Sequence, residues 1–176
     1  MSIFEEKKLK SQTIYKGKIF SVTKDEVLLG NGLLRDREVV HHNGGVVILA
    51  ERNGNILLVK QYRYPAQSAL YELPAGKLDK KNESIIDAAK RELEEETGFI
   101  AKNWESLGYV MPTPGFCTEK LYLFYATDLV QTEQNPEEGE IIDYLEVTKS
   151  DVFKMVKEGE IVDAKTICAL MKAYML

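Results

Sequence analysis

Residues 76–99, GKLDKKNESIIDAAKRELEEETGF, hold charged residues whose types and spacing could do chemistry: Glu83, Glu92, Glu95 and Glu96, with Arg91 among them. Ser84 offers a cap, which predicts a helix from there through Thr97. Helical side chains turn by about 100° per residue, so positions three and four apart share a face. Ile85, Ala88, Ala89 and Leu93 then mark the core side. Glu92 and Glu96 fall in line with Ile85 and Ala89, Glu95 lies beside Ala88, and Asp87, Lys90, Arg91 and Glu94 point outward. Carboxylates gathered on a half-buried face raise one another's pKa and cost stability unless a cation neutralises them. A hard divalent ion, Mg2+ or Mn2+, suits such oxygen ligands. A plain solvated helix face is the competing reading of a run such as ELEEE, and the phase of the alanines and isoleucines argues against it.

The elements that must position this helix follow from patterning. Residues 8–15 read as a short strand and 20–29 as a longer one, and Gly30-Asn31-Gly32 is a strong hairpin signal before LLRDREVV. The first forty or so residues thus form a small antiparallel sheet whose core is too small to stand alone. Residues 46–50 are an apolar run suited to a buried strand, and Asn53-Gly54 makes another hairpin into ILLVKQYRY. A short strand at 71–73 leads through Pro74 and Ala75 into the Gly76 loop. Beyond the helix, 104–111 reads as a strand, 112–116 (PTPGF) as a rigid turn, and 121–129 as the most strand-like run of the chain. An acidic loop occupies 132–140, a strand returns at 141–147, Ser150 caps a helix closing near Gly159, and 163–176 form a terminal amphipathic helix. This order of elements is α+β.

Composition excludes several function classes. The 176 residues are 44% hydrophobic with a net charge of −5, and no basic run interleaved with aromatics offers nucleic acid a footing. An acidic protein acting on an anion needs local arginines and cations to overcome its own field. Cys117 and Cys168 lack metal-ligand spacing and suit a reduced cytoplasmic protein. There is no apolar signal core and no membrane-spanning run, so no membrane partner is expected. His41 and His42 read as structural, because no further histidine or cysteine is placed to complete a metal site.

Residues 76–99 resemble the Nudix box, G-x5-E-x7-R-E-U-x-E-E-x-G-U with U a bulky apolar residue. Gly76, Glu83, Arg91, Glu92, Leu93, Glu95, Glu96, Gly98 and Phe99 supply every defined position, with six residues rather than five between Gly76 and Glu83. The extra residue falls in the polar loop KLDKKN, where an insertion costs little. The likeness extends to the ADP-ribose pyrophosphatases of that family through Arg37-Glu38-Val39-Val40, Lys60-Gln61-Tyr62-Arg63, Leu73-Pro74-Ala75-Gly76-Lys77, Thr113-Pro114-Gly115-Phe116 and Asp163-Ala164-Lys165-Thr166. A proline shortly past the box, here Pro114, is the family's mark of ADP-ribose preference. The resemblance implies an α/β/α sandwich around a mixed sheet, with an N-terminal β-hairpin segment (1–42) that dimerises and a catalytic domain (43–176).

It also implies roles. Glu92 and Glu96 would bind Mg2+ or Mn2+ with the backbone carbonyl of Ala75 in the shell and Glu95 close by, while Arg91 would hold the loop through Glu83 or Glu94. The catalytic carboxylates of the subfamily come from the loop holding Glu138 and Glu140, with Glu137 in reserve; an ordinary solvated loop is the alternative. Arginine's planar fork suits a diphosphate, which favours Arg63 and Arg37, with Arg35 competing for the second role. Glu38, Pro114, Phe116 and Glu119 would line the pocket, and Phe20 would either stack on adenine or pack in the core. The implied activity is hydrolysis of ADP-ribose to AMP and ribose 5-phosphate by a homodimer. Another nucleoside diphosphate sugar such as GDP-mannose is the alternative substrate. A silent ADP-ribose sensor stands further off, since such modules tend to lose box glutamates and this chain keeps Glu92, Glu95 and Glu96.

Overall fold

The structure, a computed structural model, describes residues 2–136 and 138–175. The chain divides into two compact units, Met1–Gly44 with Met111–Lys120, and Gly45–Val110 with Leu121–Leu176. In the first, β1 (Glu6–Lys16), β2 (Phe20–Leu29) and β3 (Leu34–His42) form a three-stranded antiparallel sheet in that order. The expected hairpin joins β2 to β3, closed by a 2.9 Å bond from the Gly32 N–H to the Leu29 carbonyl. β1 is longer than its patterning predicts, because pairing with β2 uses main-chain groups that a polar sequence supplies as well as an apolar one. It is exposed along its whole length, Leu9, Ile14 and Tyr15 included. The PTPGF turn joins this unit: the Val40 N–H donates to the Phe116 carbonyl at 2.8 Å and the Thr118 N–H to the Val40 carbonyl at 2.9 Å.

The second unit is built around β4 (Gly45–Arg52). Its flanking strands are β5 (Asn55–Arg63), β6 (Ser68–Glu72), β7 (Ala75–Lys77), β8 (Phe99–Val110), β9 (Leu121–Gln131) and β10 (Ile142–Thr148). The strand order is β10-β5-β4-β9-β8, with β6 beside β5 and β7 beside β4. β4 and β9 are parallel and the other pairs antiparallel, so the sheet is mixed as expected. Val46 to Ala50 are completely buried because both faces of β4 are covered. Val46, Ile48 and Ala50 join Ala88, Ala89 and Leu93 of α1 (Ile85–Thr97) in one core. Val47 and Leu49 join Val152 of α2 (Lys149–Glu158) with Ala169 and Leu170 of α3 (Ala164–Tyr174) in the other. Alternation along a single strand thereby fixes three layers, α1 over one face and α2 with α3 over the other. Burying Leu93 alone contributes about 1.5–3 kcal/mol.

The termini of α1 are where the sequence places them: Ser84 caps it by accepting from the Asp87 N–H, and Gly98 ends it in the left-handed region at φ 70°. Two boundaries differ from expectation. β8 begins at Phe99, straight after the cap, although its outward residues hide the period; only Phe99 is fully buried along it. The cap of α2 is Thr148 rather than Ser150: its hydroxyl oxygen accepts the Asp151 N–H at 3.2 Å, and Ser150 lies already inside the helix.

Thr148→Ala is therefore expected to lower unfolding free energy by about 1 kcal/mol in chemical denaturation, with Ser150→Ala close to neutral. The opposite ranking of the two variants would reject Thr148 as the cap.

Candidate active site

The carboxylates of α1 meet β7 at close range. Glu92 lies so tightly over Gly76 that a Cβ there would stand 1.8 Å from the Glu92 carboxyl carbon, so no larger residue fits without moving Glu92. One turn on, Glu96 is 4% exposed and its Oε2 accepts the Ala75 N–H at 2.9 Å. Burial pushes the Glu96 carboxyl up to about 8, and the negative charges of Glu92 and Glu140 add to the effect against the Ala75 bond and Arg63. Glu92 is raised as well, by burial first and then by Glu95 and Glu140, with Arg91 opposing.

Arg91 does not point outward as the helical wheel predicts. Its long side chain folds back to 16% exposure and its guanidinium gathers three carboxylates: Nε and Nη2 fork onto Glu83 at 2.8 and 3.0 Å, while Nη1 donates to Glu92 at 2.8 Å and Glu95 at 2.7 Å. Glu83 is the expected partner; Glu92 and Glu95 take the place of Glu94. The pairing holds Glu83 below the usual carboxylate range and raises Arg91. Glu83 thus reaches Arg91 despite the additional loop residue before it.

The acidic loop is fastened to the end of α1. The Thr132 N–H donates to the Gly98 carbonyl at 2.7 Å, the Gln134 side-chain amide to the Glu96 carbonyl at 2.6 Å, and the Asn135 N–H to the Glu95 carbonyl at 3.0 Å. These bonds satisfy helix carbonyls that would otherwise lack partners. A side chain at Gly98 would meet the Gln134 nitrogen at 2.8 Å, so that glycine serves both the cap and the loop's approach. Glu140 is half-buried and acts on both Glu92 and Glu96, whereas Glu138 is exposed in a turn. Glu137 lies outside the described residues.

Arg63, whose charge acts on Glu96, forks onto Glu72, Nε to Oε1 at 2.7 Å and Nη2 to Oε2 at 2.8 Å. Glu72 is 1% exposed and also pairs with Lys165, which bridges to Asp163 at 3.0 Å. Glu72 and Lys165 were not singled out as site residues from the sequence. The available signal was a lone glutamate between Tyr71 and Leu73 in an otherwise apolar strand.

The remaining expected site residues belong to the other unit. Arg37 forks onto Glu6 at 2.9 and 2.6 Å, and Arg35 bonds the Leu34 carbonyl. Glu38, Pro114 and Phe116 are exposed, and Glu119 lies 3.3 Å from His42. Phe20 is 41% exposed with its ring against Tyr15, so it is not core.

Among the described residues no three acidic, histidine or cysteine side chains already converge as a metal cage. Arg91 engages Glu92 and Glu95, and the Ala75 N–H engages Glu96. The donor set nevertheless fits a hard divalent ion: these are carboxylate oxygens gathered at a half-buried site, and Glu92 and Glu96 keep raised pKa values despite Arg91 and Arg63.

The chain matches the NUDIX domain over residues 40–170 and the nucleoside diphosphate sugar hydrolase N-terminal domain over 6–40. It is 39% identical over 173 residues to the ADP-ribose pyrophosphatase of Bacillus subtilis (strain 168), spanning 97% of this chain and 93% of that one. It is 38% identical over 171 residues to the methanol dehydrogenase activator of Bacillus methanolicus, spanning 96% and 92%. A solved ADP compounds hydrolase superposes with a TM-score of 0.89 over 99% of this chain and 95% of that one; at 22% identity the likeness concerns the fold.

Glu96 holds its proton more tightly folded than unfolded, so folding takes up a proton between the ordinary glutamate value and about 8. In chelator-treated protein this proton uptake costs about 1.4 kcal/mol of stability per pH unit as pH rises through that window. Denaturant titrations of the parent and Glu96→Gln at about pH 5 and about pH 8 should show the variant gaining on the parent as pH rises. A gap that stays constant with pH would contradict the raised value.

Proposed function

The chain belongs to the Nudix family of hydrolases, and from that premise we propose that it hydrolyses the diphosphate of ADP-ribose to AMP and ribose 5-phosphate with Mg2+ or Mn2+ bound. The observation that carries the reading is the half-buried Glu92 carboxyl over Gly76 next to buried Glu96 on the Ala75 N–H, with Arg63 close enough to act on Glu96. Members of the family generally use divalent ions. Glu92, Glu96 and the Ala75 carbonyl would hold the ion here. When bound, it neutralises carboxylates and diphosphate and lowers the pKa of water beside the phosphorus. The ADP-ribose assignment follows the Bacillus subtilis relative.

The chain's own residues have the following roles in this reading. Arg63 presents two-pronged donors to the diphosphate. Glu140, with Glu138 and Glu95 beside it in the scheme, takes the proton as water adds to one phosphorus; the bridging oxygen leaves with the other phosphoryl group. The half-buried position of Glu140 and its influence on Glu92 and Glu96 support it over exposed Glu138. Arg91 keeps the glutamates in register. Arg37, Glu38, Pro114 and Phe116 bind the nucleoside diphosphate sugar outside the reacting bond.

The protein works as a cytoplasmic homodimer in which residues 1–42 dimerise and complete the neighbour's pocket, while 43–176 form the catalytic domain. The exposed apolar residues of β1 support the dimer, and both cysteines are free thiols. No helix among the described residues is long and apolar enough to cross a membrane.

Steady-state assays with Mg2+ should yield AMP from ADP-ribose with a higher kcat/KM than from GDP-mannose. Glu96→Gln should lower kcat by at least about 100-fold, and Glu140→Gln should reduce kcat more than Glu138→Gln. Lack of AMP from the parent defeats the substrate assignment, and full activity in Glu96→Gln defeats the metal assignment. A monomer in sedimentation at assay concentration would defeat the dimer.

A further inference from the structure

Glu72 ends β6 at 1% exposure, and each of its oxygens is committed. Oε1 takes Arg63 Nε at 2.7 Å; Oε2 takes Arg63 Nη2 at 2.8 Å and the Lys165 ammonium. Lys165 reaches on to Asp163 at 3.0 Å. Asp163 in turn caps α3 through the Thr166 N–H at 3.0 Å and accepts the Thr166 hydroxyl at 2.6 Å. Thr166 closes the circuit by accepting the Leu73 N–H at 2.8 Å, next in sequence to Glu72. Two cations and two carboxylates are thereby balanced, and a hydrogen-bonded path runs from the start of α3 to the guanidinium of Arg63.

Stability does not explain this arrangement. A buried ion pair is often no better than packed apolar residues of the same volume, and the neighbours Val59 and Leu73 show that the site accepts such residues. A carboxylate with both oxygens occupied does fix the plane of the guanidinium. Glu72 uses the Nε and Nη2 edge and does not engage Nη1, and the Arg63 side chain keeps 38% of its surface open. An arginine so anchored meets an anion without losing rotamer freedom at that moment.

We propose that Glu72, seconded by Lys165, is a positioning residue that aims Arg63 at the diphosphate of the substrate. This rests on the hydrolase reading above, and specifically on Arg63 as a diphosphate ligand. Glu72 touches no substrate atom; it acts through Arg63. Exchange of Glu72 therefore weakens diphosphate binding only while Arg63 is present.

The test is a double-mutant cycle of Glu72→Gln and Arg63→Ala. It is read as KM and kcat for ADP-ribose, and as the affinity of the folded proteins for imidodiphosphate with Mg2+. Glu72→Gln should raise KM and weaken imidodiphosphate by about tenfold or more in the parent, with less than about a twofold effect in Arg63→Ala. Equal effects in both backgrounds, or loss of folded protein with an unchanged KM in what remains, would reduce Glu72 to a structural staple and overturn the proposal. If Glu72→Gln does not fold, Glu72→Gln with Lys165→Met removes one charge of each sign and replaces it in the cycle. Failure of that variant to fold also assigns the network to structure alone and overturns the proposal. Should the parent leave ADP-ribose intact, the substrate reading falls by itself, and the imidodiphosphate measurements still decide whether Glu72 acts through Arg63.

Discussion

Glu92 and Glu96 lie one turn apart on α1, drawn out of water against the backbone of β7, and the cost of burying their charge sets the demands on the second unit. Gly76 leaves the Glu92 carboxyl the space that a side chain there would take. The Ala75 N–H supplies the hydrogen bond that lets Glu96 stay buried. β4 must be apolar throughout, since it carries α1 on one face and α2 with α3 on the other. The loop at 132–140 must come back to the end of α1, and in doing so brings Glu140 into the field of the same two carboxylates.

The two arginines of this region show how context sets the task of one residue type. Arg91 is taken up by Glu83, Glu92 and Glu95, so it holds glutamates in place. Arg63 is gripped along one edge by a buried carboxylate that Arg63 and Lys165 neutralise together. The first arrangement organises the negative side of the site, and the second prepares a positive group beside it. An anionic substrate needs both, because the chain as a whole carries a net charge of −5.

Local rules were legible where one interaction decides the outcome. Ser84 announced the start of α1, Asn53-Gly54 and Gly30-Asn31-Gly32 announced hairpins, and the phase of Ala88, Ala89 and Leu93 announced the buried face that draws Glu96 inward. What escaped the sequence depends on contacts between distant segments. The wheel gives the direction of the Arg91 Cβ and says nothing of a flexible side chain bending back to Glu83. Glu72 meets Lys165 only after α3 docks on the sheet, and no local period records that meeting. The start of β8 at Phe99 was hidden because most of its residues face outward. Thr148 displaced Ser150 as a cap because two hydroxyl residues stood close together at the strand end, and the backbone at 148 is the one still extended.

Thermal unfolding at about pH 8 with and without excess Mg2+ reads out whether the carboxylates of α1 take up a divalent cation. Ligand that binds only the folded state raises Tm by mass action. Mg2+ should raise the Tm of chelator-treated parent protein through binding at these carboxylates, and Glu96→Gln should lose most of this rise. Equal Mg2+ shifts in the two proteins, or no shift in the parent, would contradict it.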